Sequence, residues 1–344
     1  MTRRSRWREG RPASQAWGVT SAVERLLRLH HTATLTRAVD ERLWALSRQG
    51  RAGFVLTARG HEIAQIATAS VLRVGLDSAW PYYRDLGVGL TLGVTPHEIF
   101  LGALARATDP HSGGRQLTAH FSSRALRIGS ISSEVGGHLP HAVGAAYASR
   151  VLGEGSVSMC WFGDGASSEG GAHEAMNLAG IHGLPVVFIC ENNGLAISVP
   201  EAQQMAAPVA ARASGYGMPG ATIDGTDADA VHTAAAVAVE RARGGEGPTL
   251  LELRVPRMTP HSSQDDEKYR SEADRRAAAA RDPLALLRQR LVDDGVLDAD
   301  AIEHEQKAVD DQIRADLERA LAAPEPDPER ARRWLYAGDE AVDR

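Results

Sequence analysis

Between residues 156 and 190 the chain changes periodicity twice. Residues 156–162 form a short β-rich run, 172–182 have helical composition and spacing, and 185–190 are apolar throughout. Together they predict one strand–helix–strand unit. A right-handed crossover of this length returns the second strand parallel to the first, so both strands finish at the edge where open α/β sheets bind ligands. Asp164 follows the first strand and Asn193 follows the second, so the two become neighbours. Either half alone reads more readily as an ordinary turn: a Gly-Asp-Gly corner, or an Asn-Asn loop. The joint spacing favours a ligand site.

A carboxylate and an amide oxygen are hard ligands that suit Mg²⁺ or Ca²⁺ better than zinc or copper. Gly163 and Gly165 let backbone N–H groups approach an anion closely, and the helix beginning a few residues later adds the positive end of its dipole. A diphosphate bridged by Mg²⁺ fits such an edge. Other motifs fail. His173 and Glu174 begin an HE pair, but Asn177 stands where a zinc helix needs its second histidine. The glycines at 163, 165, 170 and 171 do not make the nicotinamide fingerprint GxGxxG, and no GxSxG elbow, P-loop or paired CxxC occurs.

GDGASSEG, HEAMNLAG, LPVVFICENN and AIS, together with RGHEIAQIA (59–67), WPYYRDLG (80–87), GRQLTAHF (114–121), SISSEVGGHLPHAVGAAYA (130–148) and PHSSQDDEKYRS (260–271), resemble the α subunits of thiamine-diphosphate-dependent 2-oxoacid dehydrogenase decarboxylating components, most closely the branched-chain type. The resemblance covers about residues 20–335. It implies an α/β thiamine-diphosphate-binding fold, a parallel sheet with helices on both faces, and a helical C-terminal region. It also implies oxidative decarboxylation of a 2-oxoacid, with acyl transfer to the lipoyl group of an acyltransferase component. Pyruvate and acetoin dehydrogenase α subunits are the nearest alternatives, and a non-catalytic cofactor-binding homologue is the reading from another class.

Residue by residue, the resemblance implies that Asp164, Asn193 and the backbone carbonyl of Leu195 ligate Mg²⁺. Gly163, Gly165, Ala166, Tyr83 and Arg84 would hold the diphosphate, while Ser133 and Val135 would contact the aminopyrimidine. His261 would serve near the diphosphate and the reacting centre, beside Arg257, and His120 is a second catalytic candidate. Leu195 replaces a common tyrosine, which a carbonyl ligand tolerates. Glu134 and the Gly136–Gly137 pair depart from the family pattern in the loop that forms a monovalent-cation site in relatives. The glutamate that activates the cofactor belongs to a domain absent from α subunits, so the resemblance implies a β subunit and an α₂β₂ assembly.

Composition supports a large α/β core. Aromatics are 5% of 344 residues, with glycine and alanine plentiful enough for close helix-on-sheet packing. The formal net charge of −6 gives a nucleic-acid surface no support. Cys160 and Cys190 fall in predicted buried strands, as free thiols would in a reducing, intracellular setting. No apolar run reaches membrane length, and the arginine-rich start reads as a short basic tail in preference to a transit peptide, which points to bacterial cytoplasm over the mitochondrial matrix. The predicted organisation is a disordered tail over 1–20, a diphosphate-binding α/β domain over 21–275, and a helical C-terminal appendage and tail over 276–344. Residues 257–276 carry almost no apolar side chain and are expected to form a mobile loop.

Overall fold

The computed structural model describes residues 21–131 and 133–332; the basic tail of 1–20 and the closing segment from 333 lie outside the described residues. The chain forms α1 (Ala22–Arg48), α2 (Glu62–Ala69), β1 (Ser78–Trp80), α3 (Leu86–Leu92), α4 (Pro96–Ala103), α5 (His138–Leu152), β2 (Ser158–Gly163), α6 (Gly170–His182) and β3 (Val186–Asn192). There follow a minimal hairpin, β4 (Leu195–Ala196) and β5 (Val199–Pro200), the short α7 (Glu201–Gln204), β6 (Gly220–Asp224), α8 (Ala228–Arg243) and β7 (Thr249–Arg254). Three helices close the chain: α9 (Glu272–Ala279), α10 (Pro283–Asp293) and α11 (Ala299–Ala322).

Five strands make one parallel sheet in the order β1-β2-β3-β7-β6. Side chains alternate across it. Met159 and Trp161 enter a core shared with α1, α2 and α8, whereas Cys160 and Phe162 enter a second core with α5 and α6. This explains why β2 and β3 read as unbroken apolar runs: both faces are covered, so neither face needs polar residues. Fully burying a side chain such as Phe162 or Phe188 contributes about 2–3 kcal/mol. The two thiols are free and buried, in the second core.

Local signals set the element ends. Ser21 and Glu24 form a capping box at α1. Asp227 accepts from the backbone N–H groups of Asp229 and Ala230 at α8, and Asp282 precedes Pro283 at the start of α10. The C-terminal helices are built into the first core through Leu287 and Leu291 of α10 and Val309 and Ile313 of α11. Arg37 ties α1 to α2 and α10 through Glu62 at 2.5 Å and Asp282 at 2.9 Å.

The polar stretch expected to be a mobile loop takes defined turns, and its last part is helix α9, started by a Ser271–Asp274 capping box. Polar contacts do what apolar burial cannot. Arg270 pairs with Glu267 at 2.7 Å, Arg257 donates to the Tyr269 hydroxyl at 2.6 Å, and Ser262 bridges to Leu56. Composition correctly reports the missing apolar surface but carries no record of these partners.

Candidate functional site

Four strand exits converge. The ends of β1, β2, β3 and β7 and the segments after them supply Tyr83 and Arg84, Gly163 to Ala166, Asn193 with Leu195 to Ile197, and His261 to one cavity of about 210 Å³. Asp164 and Asn193 share this wall because β2 and β3 are paired in register, with Gly163 opposite Glu191.

Asp164 is 1% exposed, and its Oδ2 has no hydrogen-bond partner among the described residues. Burial pushes its carboxyl up to about 6, against backbone hydrogen bonds from its own residue and Asn193 that hold it down. A buried carboxylate oxygen without a donor is costly unless a cation meets it. Asn193 Oδ1 accepts from the Leu195 N–H at 3.2 Å, which leaves the amide oxygen a second lone pair. Gly165 packs so tightly under the β4–β5 hairpin that a Cβ there would meet the Ala196 Cβ at 3.1 Å. The donor set is thus hard, oxygen-rich and backbone-lined, and it fits a magnesium-bridged diphosphate.

Another part of the lining is basic. Arg84 is buried, donates to the Thr57 carbonyl at 2.7 Å and reaches His261 Nδ1 at 3.3 Å. A guanidinium only donates, so the His261 proton sits on Nε2. Burial, then the charges of Arg84 and Arg257, lower the His261 pKa to about 4, so the ring is neutral at physiological pH. Arg257 is 1% exposed and lines no part of the cavity; it holds the Ile197 carbonyl at 2.9 Å, pinning the hairpin. At that tip Ile197 has φ of +56°, a strained conformation for a β-branched residue.

The family model described as "Dehydrogenase E1 component" matches residues 30–329. The chain belongs to that family. It is 42% identical to the 2-oxoisovalerate dehydrogenase subunit alpha of Bacillus subtilis, over 94% of this chain and 98% of that protein. The 3-methyl-2-oxobutanoate dehydrogenase subunit alpha of Mycobacterium tuberculosis is 38% identical over 96% of this chain and 88% of its own length. The human mitochondrial 2-oxoisovalerate dehydrogenase subunit alpha is 34% identical over 89% and 69% respectively.

In this E1 component chain the remaining expected site residues divide. Val135 lines the cavity and is half-exposed. Ser133 and His120 do not line it; they form a pair, His120 Nε2 to Ser133 Oγ at 2.6 Å, while His120 Nδ1 donates to the Thr118 carbonyl at 2.9 Å. His138 lines the cavity unforeseen, donating from Nε2 to the Trp161 carbonyl at 2.7 Å. Sequence reasoning also passed over the network behind the Asn193 wall. Glu191, fully buried, accepts from His61 Nδ1 at 2.6 Å, the Tyr82 hydroxyl at 3.1 Å and Gln65 Nε2 at 3.2 Å. His61 and Gln65 are four apart at the start of α2, a spacing that puts both on one helix face and could have been read. Among the described residues no helix is long and apolar enough to cross a membrane.

Proposed function

We propose that this chain is the α subunit of a branched-chain 2-oxoacid dehydrogenase, working with a β subunit in an α₂β₂ assembly and delivering acyl groups to a lipoylated acyltransferase component. The observation that carries the site reading is the buried Asp164 oxygen left without a partner in a cavity shared with Asn193. Thiamine diphosphate, when bound, supplies the carbon nucleophile for decarboxylation. Everything else falls to the protein's own groups. Asp164 and Asn193 hold Mg²⁺ through side-chain oxygens and Leu195 through its carbonyl, with Gly163 giving the backbone room to approach.

The N–H groups of Gly165 and Ala166 and the Arg84 guanidinium offset the diphosphate charge, with Tyr83 beside them. Val135 offers apolar surface to the aminopyrimidine, and Ser133, already tied to His120, fixes that loop. His261 donates a hydrogen bond from its Nε2–H to an anion near the reacting centre while the ring stays neutral. Among the described residues a single parallel sheet offers a single ligand edge, which supports a β subunit as the source of the group that would cover the pyrimidine.

A substrate panel tests this. Assembled with the β subunit and an artificial electron acceptor, the chain should decarboxylate branched 2-oxoacids in preference to pyruvate. A pyruvate preference would transfer it to the pyruvate dehydrogenase type. Silence toward every 2-oxoacid would favour a non-catalytic homologue.

A further inference from the structure

An amide, unlike a carboxylate, has one end that can ligate a cation and one that repels it, so a metal-holding asparagine needs something to fix which end faces the ion. For Asn193 the β4–β5 side does half of this. The Leu195 N–H meets Oδ1 at 3.2 Å. The other half comes from α2. His61, fully buried, brings Nε2 to 3.4 Å from Asn193 Nδ2, at the long end of hydrogen-bond range. Its Nδ1 faces Glu191 Oε2 at 2.6 Å, and a carboxylate oxygen accepts, so the ring proton sits on Nδ1 and the Nε2 lone pair faces the amide N–H. Tyr82 and Gln65 hold the same carboxylate oxygen in place. Turning the amide over would set its NH₂ against the Leu195 N–H and its oxygen against the imidazole lone pair.

Gly60 seats the histidine. With φ of +98° it presses the start of α2 onto the Pro256 carbonyl, which a Cβ would overlap at 1.9 Å.

We propose that His61, anchored by Glu191, is a positioning residue that fixes the amide of Asn193 with its oxygen toward the metal. This rests on the reading of Asp164 and Asn193 as the metal clamp. Groups that orient a metal's ligands change its affinity by roughly 10- to 100-fold when lost. The test uses Mn²⁺ as the probe, its affinity read by electron paramagnetic resonance in the α₂β₂ assembly with thiamine diphosphate present.

His61→Leu should weaken Mn²⁺ binding about 10-fold. His61→Gln, which can give an N–H to Glu191 and a carbonyl oxygen to Asn193, should restore it to within about 3-fold. In a chain also carrying Asn193→Asp the His61→Leu penalty should vanish, because a carboxylate has no wrong end. Should His61→Leu fail to fold, as judged by its unfolding midpoint, His61→Met takes its place. Equal penalties in both backgrounds, or a His61→Gln loss as large as that of His61→Leu, overturn the positioning role while leaving the clamp standing. Undiminished Mn²⁺ affinity in Asp164→Ala overturns the clamp itself, and the positioning role with it.

Discussion

Asp164 and Asn193 stand on one wall of the cavity and His261 on another, and the two walls are held by different forces. The first hangs from β2 and β3, interior strands paired on both sides and sunk between two apolar cores. Moving those groups means breaking the sheet. The second is a loop with little apolar burial, kept in shape by Arg257, Tyr269, Asp265, Arg270 and Glu267 and by Ser263, whose hydroxyl meets Ser47 at 3.0 Å. Such a segment opens at lower free energy than a core strand. The groups proposed to hold the metal thus sit on the rigid wall and the cavity's histidine on the compliant one.

Breaking the rigid wall should have the largest effect. Asp164→Ala is expected to abolish retention of thiamine diphosphate through gel filtration, while the fold, judged by circular dichroism, survives; retention at normal stoichiometry would remove the clamp. On the compliant wall, His261→Ala should leave cofactor binding nearly unchanged and slow turnover roughly 100-fold. Normal kcat in that variant means the histidine has no part in turnover.

A third measurement sharpens the electrostatic difference between the walls. The Asp164 carboxyl, raised by burial to about 6 from 3.8, binds its proton more tightly in the folded state than in the unfolded one. Its contribution to stability is therefore full below pH 3.8 and lost as pH rises through about 6, a swing of about 3 kcal/mol. The protein without cofactor should lose this increment between pH 4 and 7, and Mg²⁺ with thiamine diphosphate should raise the unfolding midpoint more at pH 7.5 than at pH 5. Asp40, also raised to about 6 by burial, titrates in the same range, so Asp164→Asn serves as the control that isolates the site. A pH profile identical in Asp164→Asn and the parent chain would discard the assignment.

The smallest effect is expected from Arg257→Met. Loss of its donors to Ile197 and Tyr269 should raise proteolytic cleavage within residues 257–271 about 10-fold, a local opening change of about 1.4 kcal/mol, with cofactor affinity altered less than that. A larger drop in affinity than in protection would show that the two walls are not independent.

Much of the rigid wall was legible in the sequence. Strands at 158–163 and 186–192 lie within two residues of the runs read at 156–162 and 185–190, and the helix between them begins two residues early. Hydrophobic runs and crossover geometry carry that information locally. Less legible were β1 and β6: β1 has three residues, and β6, at the sheet edge, is largely exposed, so neither leaves an apolar run. His120 matched by motif but lies against Ser133, away from the cavity lining, because a motif fixes position along the chain and not distance in space.

Sequence alone determined the strand–helix–strand unit, the hard-oxygen character of residues 164 and 193, and membership of the E1 component family, since each depends on residue type and short-range spacing. Only the tertiary structure decided that Glu191, His61 and Tyr82, more than a hundred positions apart along the chain at the extremes, form one buried hydrogen-bonded group behind Asn193. The physical reason is that a buried polar side chain is chosen by whichever partner the packed core brings within about 3 Å. That partner arrives from another element, and nothing in the local pattern records which one.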